Sequence, residues 1–108
     1  MASDVRLPQP VWQTTTPFPL ESDSLALSAN TAKSWTCPGD TNAVIIGSSV
    51  FPLYIKAGGT ATVISGDVTN GTSSMLITGP SMWKVEQGVA YSIICGSDAK
   101  VGIGRYKS

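Results

Sequence analysis

Residues 90–107 read AYSIICGSDAKVGIGRYK, and this stretch decides the class of fold. Its first half alternates apolar residues with other residues, which predicts a strand over Ala90–Cys95. Its second half, Lys100–Lys107, places Val101 and Ile103 on one face and two glycines on the other. Glycines at alternate positions of a strand indicate close packing or a sheet edge. Two adjacent segments with a period of two therefore predict β structure.

Similar short segments, separated by turn residues, recur upstream. They are Ser24–Ala29, Ala32–Cys37, Ala43–Ile46, Leu53–Lys56, Thr60–Ile64, Met75–Thr78 and Met82–Glu86. The continuous apolar run at 43–46 is typical of a strand buried on both faces. Residues 82–86 and 90–95 are expected to form a hairpin around Gln87-Gly88. Because no segment has a sustained helical period, we predict one all-β domain, a single β-sandwich or jelly roll of about eight short strands.

Residues 1–20 differ from the β body, residues 21–108. They hold four of the seven prolines, Pro8, Pro10, Pro17 and Pro19. Proline fixes φ and removes a donor, so we expect an extended N-terminal arm. The arm also carries the apolar residues Val11, Trp12, Phe18 and Leu20. Either these side chains fold back over the core of their own domain, or the arm docks on a neighbouring subunit.

Composition excludes several kinds of function. Seven acidic residues balance seven basic ones, so no net charge favours binding to nucleic acid or to a membrane surface. The absence of histidine removes the commonest general base and excludes a Ser-His-Asp or Cys-His arrangement within the chain. Asp67–Asn70 is the nearest approach to a calcium loop and has too few acids. We therefore expect no enzyme activity, no cofactor and no metal.

Four smaller features of the sequence also bear on function. Cys37 and Cys95 match no zinc motif, and we expect buried free thiols. The triplet that begins at Asn70 fits a glycosylation acceptor, but Asn-Gly is also a tight-turn pair, which is the interpretation we favour. Trp83 follows a Gly-Pro turn and is the best candidate for an exposed aromatic, with Tyr54 as a second glycan-stacking candidate. The N-terminus lacks the apolar core of a signal peptide, so we expect synthesis in a cytoplasm.

One part of the chain resembles a known group of proteins. The segments Tyr54–Lys56, Thr60–Val63 and Gly66–Ser74, together with Leu27–Ala32, resemble small structural proteins of tailed bacteriophages. In that group a strand with an aromatic residue precedes a Thr-Ala-x-Val strand and an Asp-Val-Thr-Asp-Gly-Thr loop. This chain departs from the pattern at Asn70, where the group has a second Asp.

The resemblance implies a virion component with a β-sandwich body, made in the host cytoplasm and present in symmetric copies. Our leading hypothesis is a capsid decoration or cement protein that binds the major capsid protein or other virion subunits, as a homo-oligomer with a trimer favoured. The partner-binding residues would be Val11, Trp12, Phe18, Leu20 and Trp83. The alternative is a tail or fibre component that binds a host receptor or glycan. An enzyme or a host regulator is the third and least favoured hypothesis.

Overall fold

The computed structural model describes residues 17–107, which form two four-stranded antiparallel sheets. The strands are β1 (Glu21–Leu27), β2 (Lys33–Thr36), β3 (Thr41–Ser48), β4 (Leu53–Ala57), β5 (Met75–Ile77), β6 (Ser81–Lys84), β7 (Ala90–Cys95) and β8 (Ala99–Lys107). Sheet I has the order β1-β8-β3-β6, and sheet II has the order β2-β7-β4-β5. The predicted all-β sandwich is therefore confirmed.

The strands pair as one long hairpin would after folding over on itself. β1 pairs with β8, β2 with β7, β3 with β6, and β4 with β5. Successive pairs fall alternately in sheet I and sheet II, which is the rolled, two-layer arrangement of an eight-stranded jelly roll. β6 and β5 are edge strands of their sheets, as are β1 and β2.

The core lies between the two sheets and is filled by alternate residues of the strands. The most deeply buried apolar side chains are Val44, Leu53, Ile93, Val101 and Ile103. Full burial of a side chain of this size contributes about 1.5–3 kcal/mol relative to exposure. The alternation read from residues 90–107 thus identifies the inward face of β8 correctly, since Val101 and Ile103 both belong to the core.

Two predictions about the strands are wrong. β6 and β7 do not form a hairpin, because β6 pairs with β3 in sheet I while β7 pairs with β2 and β4 in sheet II. Residues 60–64 form no strand. The Ala61 amide donates instead to Ser92 Oγ at 2.9 Å, and the Thr62 amide donates to Ser74 Oγ at 3.0 Å. Side-chain hydroxyls therefore take the place of a ladder partner, and the segment packs as a loop.

The predicted turns and thiols are found. The Thr41 amide donates to Pro38 O, and Gly71 has a φ of 85°, which suits glycine. The Thr72 amide and hydroxyl both donate to Asn70 Oδ1, so this side chain stabilises its own turn. Cys37 and Cys95 are both free and buried, as expected.

Candidate functional site

The middle of the outer face of sheet I is built from small or apolar, uncharged side chains, with Lys84 and Lys100 in the rows that flank it. We call it the arm face. Two cross-strand rows define it, Ser22–Gly104–Ile45–Met82 and Ser24–Gly102–Gly47. Because three of these seven positions are glycine, the middle of the face is a shallow trough with backbone at its floor. Such a surface permits close approach by another chain.

The end of the N-terminal arm lies in this trough. A Cβ atom placed on Gly104 would be 2.4 Å from Pro19 Cγ and 2.8 Å from Ile45 Cγ2, so only glycine leaves room for the proline ring. The Tyr106 hydroxyl donates a hydrogen bond to Pro17 O, which also fixes the arm two residues before Pro19. The groove beside the arm encloses about 330 Å³ and continues over Gly102, where an added Cβ would touch nothing.

The predicted arm residues fall into two groups. Phe18 is 89% exposed and Leu20 is 100% exposed, so these two side chains do not fold back over their own core. The chain instead turns the Pro19 ring toward sheet I and the Phe18 and Leu20 side chains toward solvent. Val11 and Trp12 lie outside the described residues.

β3 is less covered than its apolar run predicted. Val44 and Ile46 are buried between the sheets, but Ala43 and Ile45 are only half-buried on the arm face. The reason is that within residues 17–107 no further strand or helix covers the outside of sheet I, and Pro19 is the group that packs beside Ile45. This apolar strand residue therefore forms part of the docking surface as well as part of the sheet.

Several charged side chains gather at one end of sheet I, where they pair with one another. Arg105 lies 3.1 Å from Glu21 and 3.5 Å from Asp23, and Lys107 lies within 4 Å of Glu21 and Asp40. Such partly exposed pairs contribute little stability individually, on the order of 0–1 kcal/mol. Their consequence is spatial, because Glu21, Arg105 and Lys107 line a second groove beside Pro17–Leu20, so paired charges border the arm at this end of the sheet.

A cleft opens between the sheets beside the edge strands β5 and β6. It is lined by Trp83, Met75, Ile55, Tyr91, Trp35 and other apolar residues, and it encloses about 190 Å³. Trp83 is 38% exposed at this cleft, which places it at the surface as predicted but inside a recess. Its indole N–H donates to Ser81 Oγ at 2.8 Å. Tyr54, the other glycan-stacking candidate, does not line the cleft.

Residues 17–107 contain no group of three or more His, Cys, Asp or Glu side chains able to hold a metal ion. Within the same range, no helix is long and apolar enough to cross a bilayer. Burial raises the pKa of the Cys37 thiol above its ordinary value of 9.0, and the nearby Asp40 charge raises it further while Arg105 opposes the change. A buried thiol with a raised pKa is a poor nucleophile.

The chain has no match among protein-family models, curated proteins or solved structures. The arguments about function therefore rest on the arm face and the cleft.

Sequence reasoning missed how the arm is seated. The alternating glycines of β8 did predict close packing, and Gly104 does pack closely against the Pro19 ring. β8 is not an edge, since it lies between β1 and β3. The cleft had no sign in the sequence, because its walls come from strands of both sheets that are distant along the chain.

Proposed function

We propose that this chain is a non-enzymatic virion structural protein, a decoration protein that binds the head surface of a tailed bacteriophage. The observation that carries the proposal is the arm face, an uncharged trough of small residues crossed by a proline-pinned segment. That segment directs Phe18 and Leu20 away from the body. The occupant we assign to this surface is the major capsid protein, with neighbouring copies of this chain completing a homo-oligomer, a trimer being favoured.

The energetics of docking favour this arrangement. Proline at positions 17 and 19 has already restricted the segment, so less conformational entropy is lost on binding. Burying an exposed phenylalanine side chain contributes about 1.5–3 kcal/mol, on the order of tenfold to a hundredfold in affinity. Burial of Phe18 would therefore increase binding affinity without any rearrangement of the β body.

The test is co-sedimentation of the purified chain with phage heads that lack it. Phe18→Ser and Leu20→Ser together should weaken binding at least tenfold, because both side chains are expected to be buried against the head. Leu76→Ser is the matched control, since Leu76 is another exposed apolar residue, 45% accessible, but lies on sheet II. Equal binding by the double variant and the wild-type chain would refute the role of the arm.

Position on the particle is a separate measurement. Immunogold labelling of intact virions should place gold over the heads. Gold confined to the tail would instead favour the alternative, a tail or fibre component that binds a receptor. Trp83 is the feature that favours this alternative, because it is an accessible aromatic residue at a recess. A glycan array and an adsorption assay of Trp83→Ala would then test whether the receptor is a sugar.

A further inference from the structure

We propose that the cleft between the two sheets is a binding site for a small, uncharged, apolar molecule, about the size of a single aromatic ring. The site is distinct from the arm face and does not depend on the proposed role in a virion. It is defined by Trp83 on β6, Met75 on β5, Ile55 on β4, and Trp35 and Tyr91 deeper in the sandwich.

The cleft exists because the two edge strands are short. β5 has three residues and β6 has four, so neither closes the side of the sandwich along its full length. The core residues Val44 and Ile93 lie at the floor of the cleft and stay buried, whereas Trp83 and Met75 supply exposed apolar surface at its mouth. Met75 lies at this recess and is 57% exposed, a large accessible fraction for an apolar residue whose neighbours on the inward face are buried.

The size of the cleft sets the size of the ligand. Its volume of about 190 Å³ can be compared with apolar protein cavities of about 150 Å³ that remain dry and bind benzene. A single ring or a short branched hydrocarbon would fill such a volume, whereas a disaccharide would not fit within it. Filling the recess would restore the dispersion contacts that its lining atoms lack.

The polarity of the cleft sets the chemistry of the ligand. Both indole N–H groups already donate hydrogen bonds to acceptors within the chain. The Trp83 N–H donates to Ser81 Oγ at 2.8 Å, and the Trp35 N–H donates to Asp23 Oδ2 at 2.7 Å. The Tyr91 hydroxyl accepts a hydrogen bond from the Glu86 amide at 3.0 Å. Lys84 is the charged residue among the lining side chains. A sugar would leave most of its hydroxyls without partners here, so an apolar occupant is favoured over a glycan.

The experiment is an NMR titration of the full chain with benzene, observed at the methionine methyl groups. The chain contains its own control, because Met75 lines the cleft while Met82 lies on the arm face. Benzene should shift the Met75 resonance in a saturable manner and leave Met82 unchanged.

A pair of variants tests the location. Met75→Trp should fill the cleft and weaken benzene binding at least tenfold, measured by ligand-observed NMR on protein shown to be folded by circular dichroism. Leu76→Trp adds the same ring to the next residue of β5, which faces away from the cleft, and should change binding by less than about twofold. Absence of a saturable Met75 shift in the folded chain would overturn the proposal, as would equal shifts at both methionines. A Met75 shift that appears as protein concentration rises and that benzene does not reverse would assign the cleft to a second copy of the chain and would also overturn the proposal.

Discussion

Replacing Gly104 by alanine is expected to force the end of the arm away from sheet I. The added Cβ would lie 2.4 Å from Pro19 Cγ, 3.0 Å from Pro19 Cβ and 2.8 Å from Ile45 Cγ2. The proline ring would have to retreat by about 1 Å to reach ordinary van der Waals contact. Neither obstacle is the far end of a flexible side chain, because one is a ring and the other is a branched residue held in β3.

The effect of Gly104→Ala on the free energy of unfolding is the sum of two contributions of opposite sign. Overpacking of this kind typically destabilises by about 1–3 kcal/mol. Alanine also restricts the unfolded chain relative to glycine, which stabilises by about 0.4–1 kcal/mol where the backbone conformation is allowed. The clash therefore wins, and the net destabilisation should be about 0.5–2 kcal/mol. The chain can limit this cost by releasing Pro17–Pro19 and losing the Tyr106 hydrogen bond.

Gly102→Ala is the matched control, because Gly102 lies two residues earlier on the same face of the same strand and an added Cβ meets nothing within 4 Å. It should stabilise the protein by about 0.4–1 kcal/mol. The difference between the two variants cancels the backbone term and reports the clash alone, about 1–3 kcal/mol. Urea unfolding followed by tryptophan fluorescence measures both values.

Combining Gly104→Ala with Pro19→Gly tests whether the clash is with the arm. It removes the ring that meets the new Cβ, so Gly104→Ala should cost much less in the Pro19→Gly background, although the contact with Ile45 remains. Equal stabilities of Gly104→Ala and Gly102→Ala would refute the seating of the arm on sheet I. A cost at Gly104 that is unchanged by Pro19→Gly would place the whole clash within the sheet instead.

Three further predictions concern the β body. Ser92→Ala should destabilise the protein by about 1–3 kcal/mol, because it leaves the buried Ala61 amide without its acceptor. Ser34→Ala is the control: Ser34 is the exposed residue opposite Ser92 on β2, and its loss should change stability by less than about 0.5 kcal/mol. Thermal unfolding of both variants would measure the difference. Trp35→Phe should cost about 1.5–3 kcal/mol in urea unfolding, since it removes the indole donor to the Asp23 carboxylate, and a change below about 0.5 kcal/mol would contradict a stabilising bond. Because burial, with Asp40, raises the pKa of Cys37 above 9.0, the unfolded chain loses this proton at a lower pH than the folded chain, so stability should fall as pH rises above about 9. The urea midpoint of wild-type protein should consequently drop more between about pH 8 and about pH 10 than that of Cys37→Ala, and parallel losses would contradict this linkage.

The local features of the fold could be predicted from the order of residues alone. The alternation of residues 90–107 identified two strands and their inward faces, because a period of two is set by the backbone of a single strand. Pro38, Asn70 and Gly71 marked turns, since the conformational preferences of these residues act within a few positions. The absence of a zinc pattern anticipated free thiols at Cys37 and Cys95.

Tertiary structure decided which strands meet. Residues 82–86 and 90–95 are adjacent in sequence and fall in different sheets, because each finds a longer partner elsewhere in the jelly roll. Residues 60–64 have the composition of a strand but pair with no strand of either sheet, and Ser92 satisfies the Ala61 amide instead. Both errors have the same origin, since strand pairing depends on distant segments that compete for the same backbone groups.

Both parts of the candidate site also depend on tertiary contacts. The prolines made an extended arm predictable, but the seat for Pro19 exists only because Gly104 and Ile45 come side by side from strands β8 and β3. The cleft likewise needs the short edges of two different sheets to face each other. A local pattern predicts the chemical character of each residue and the face of the strand on which its side chain lies. Surfaces made by several strands depend on long-range packing, which no local pattern predicts.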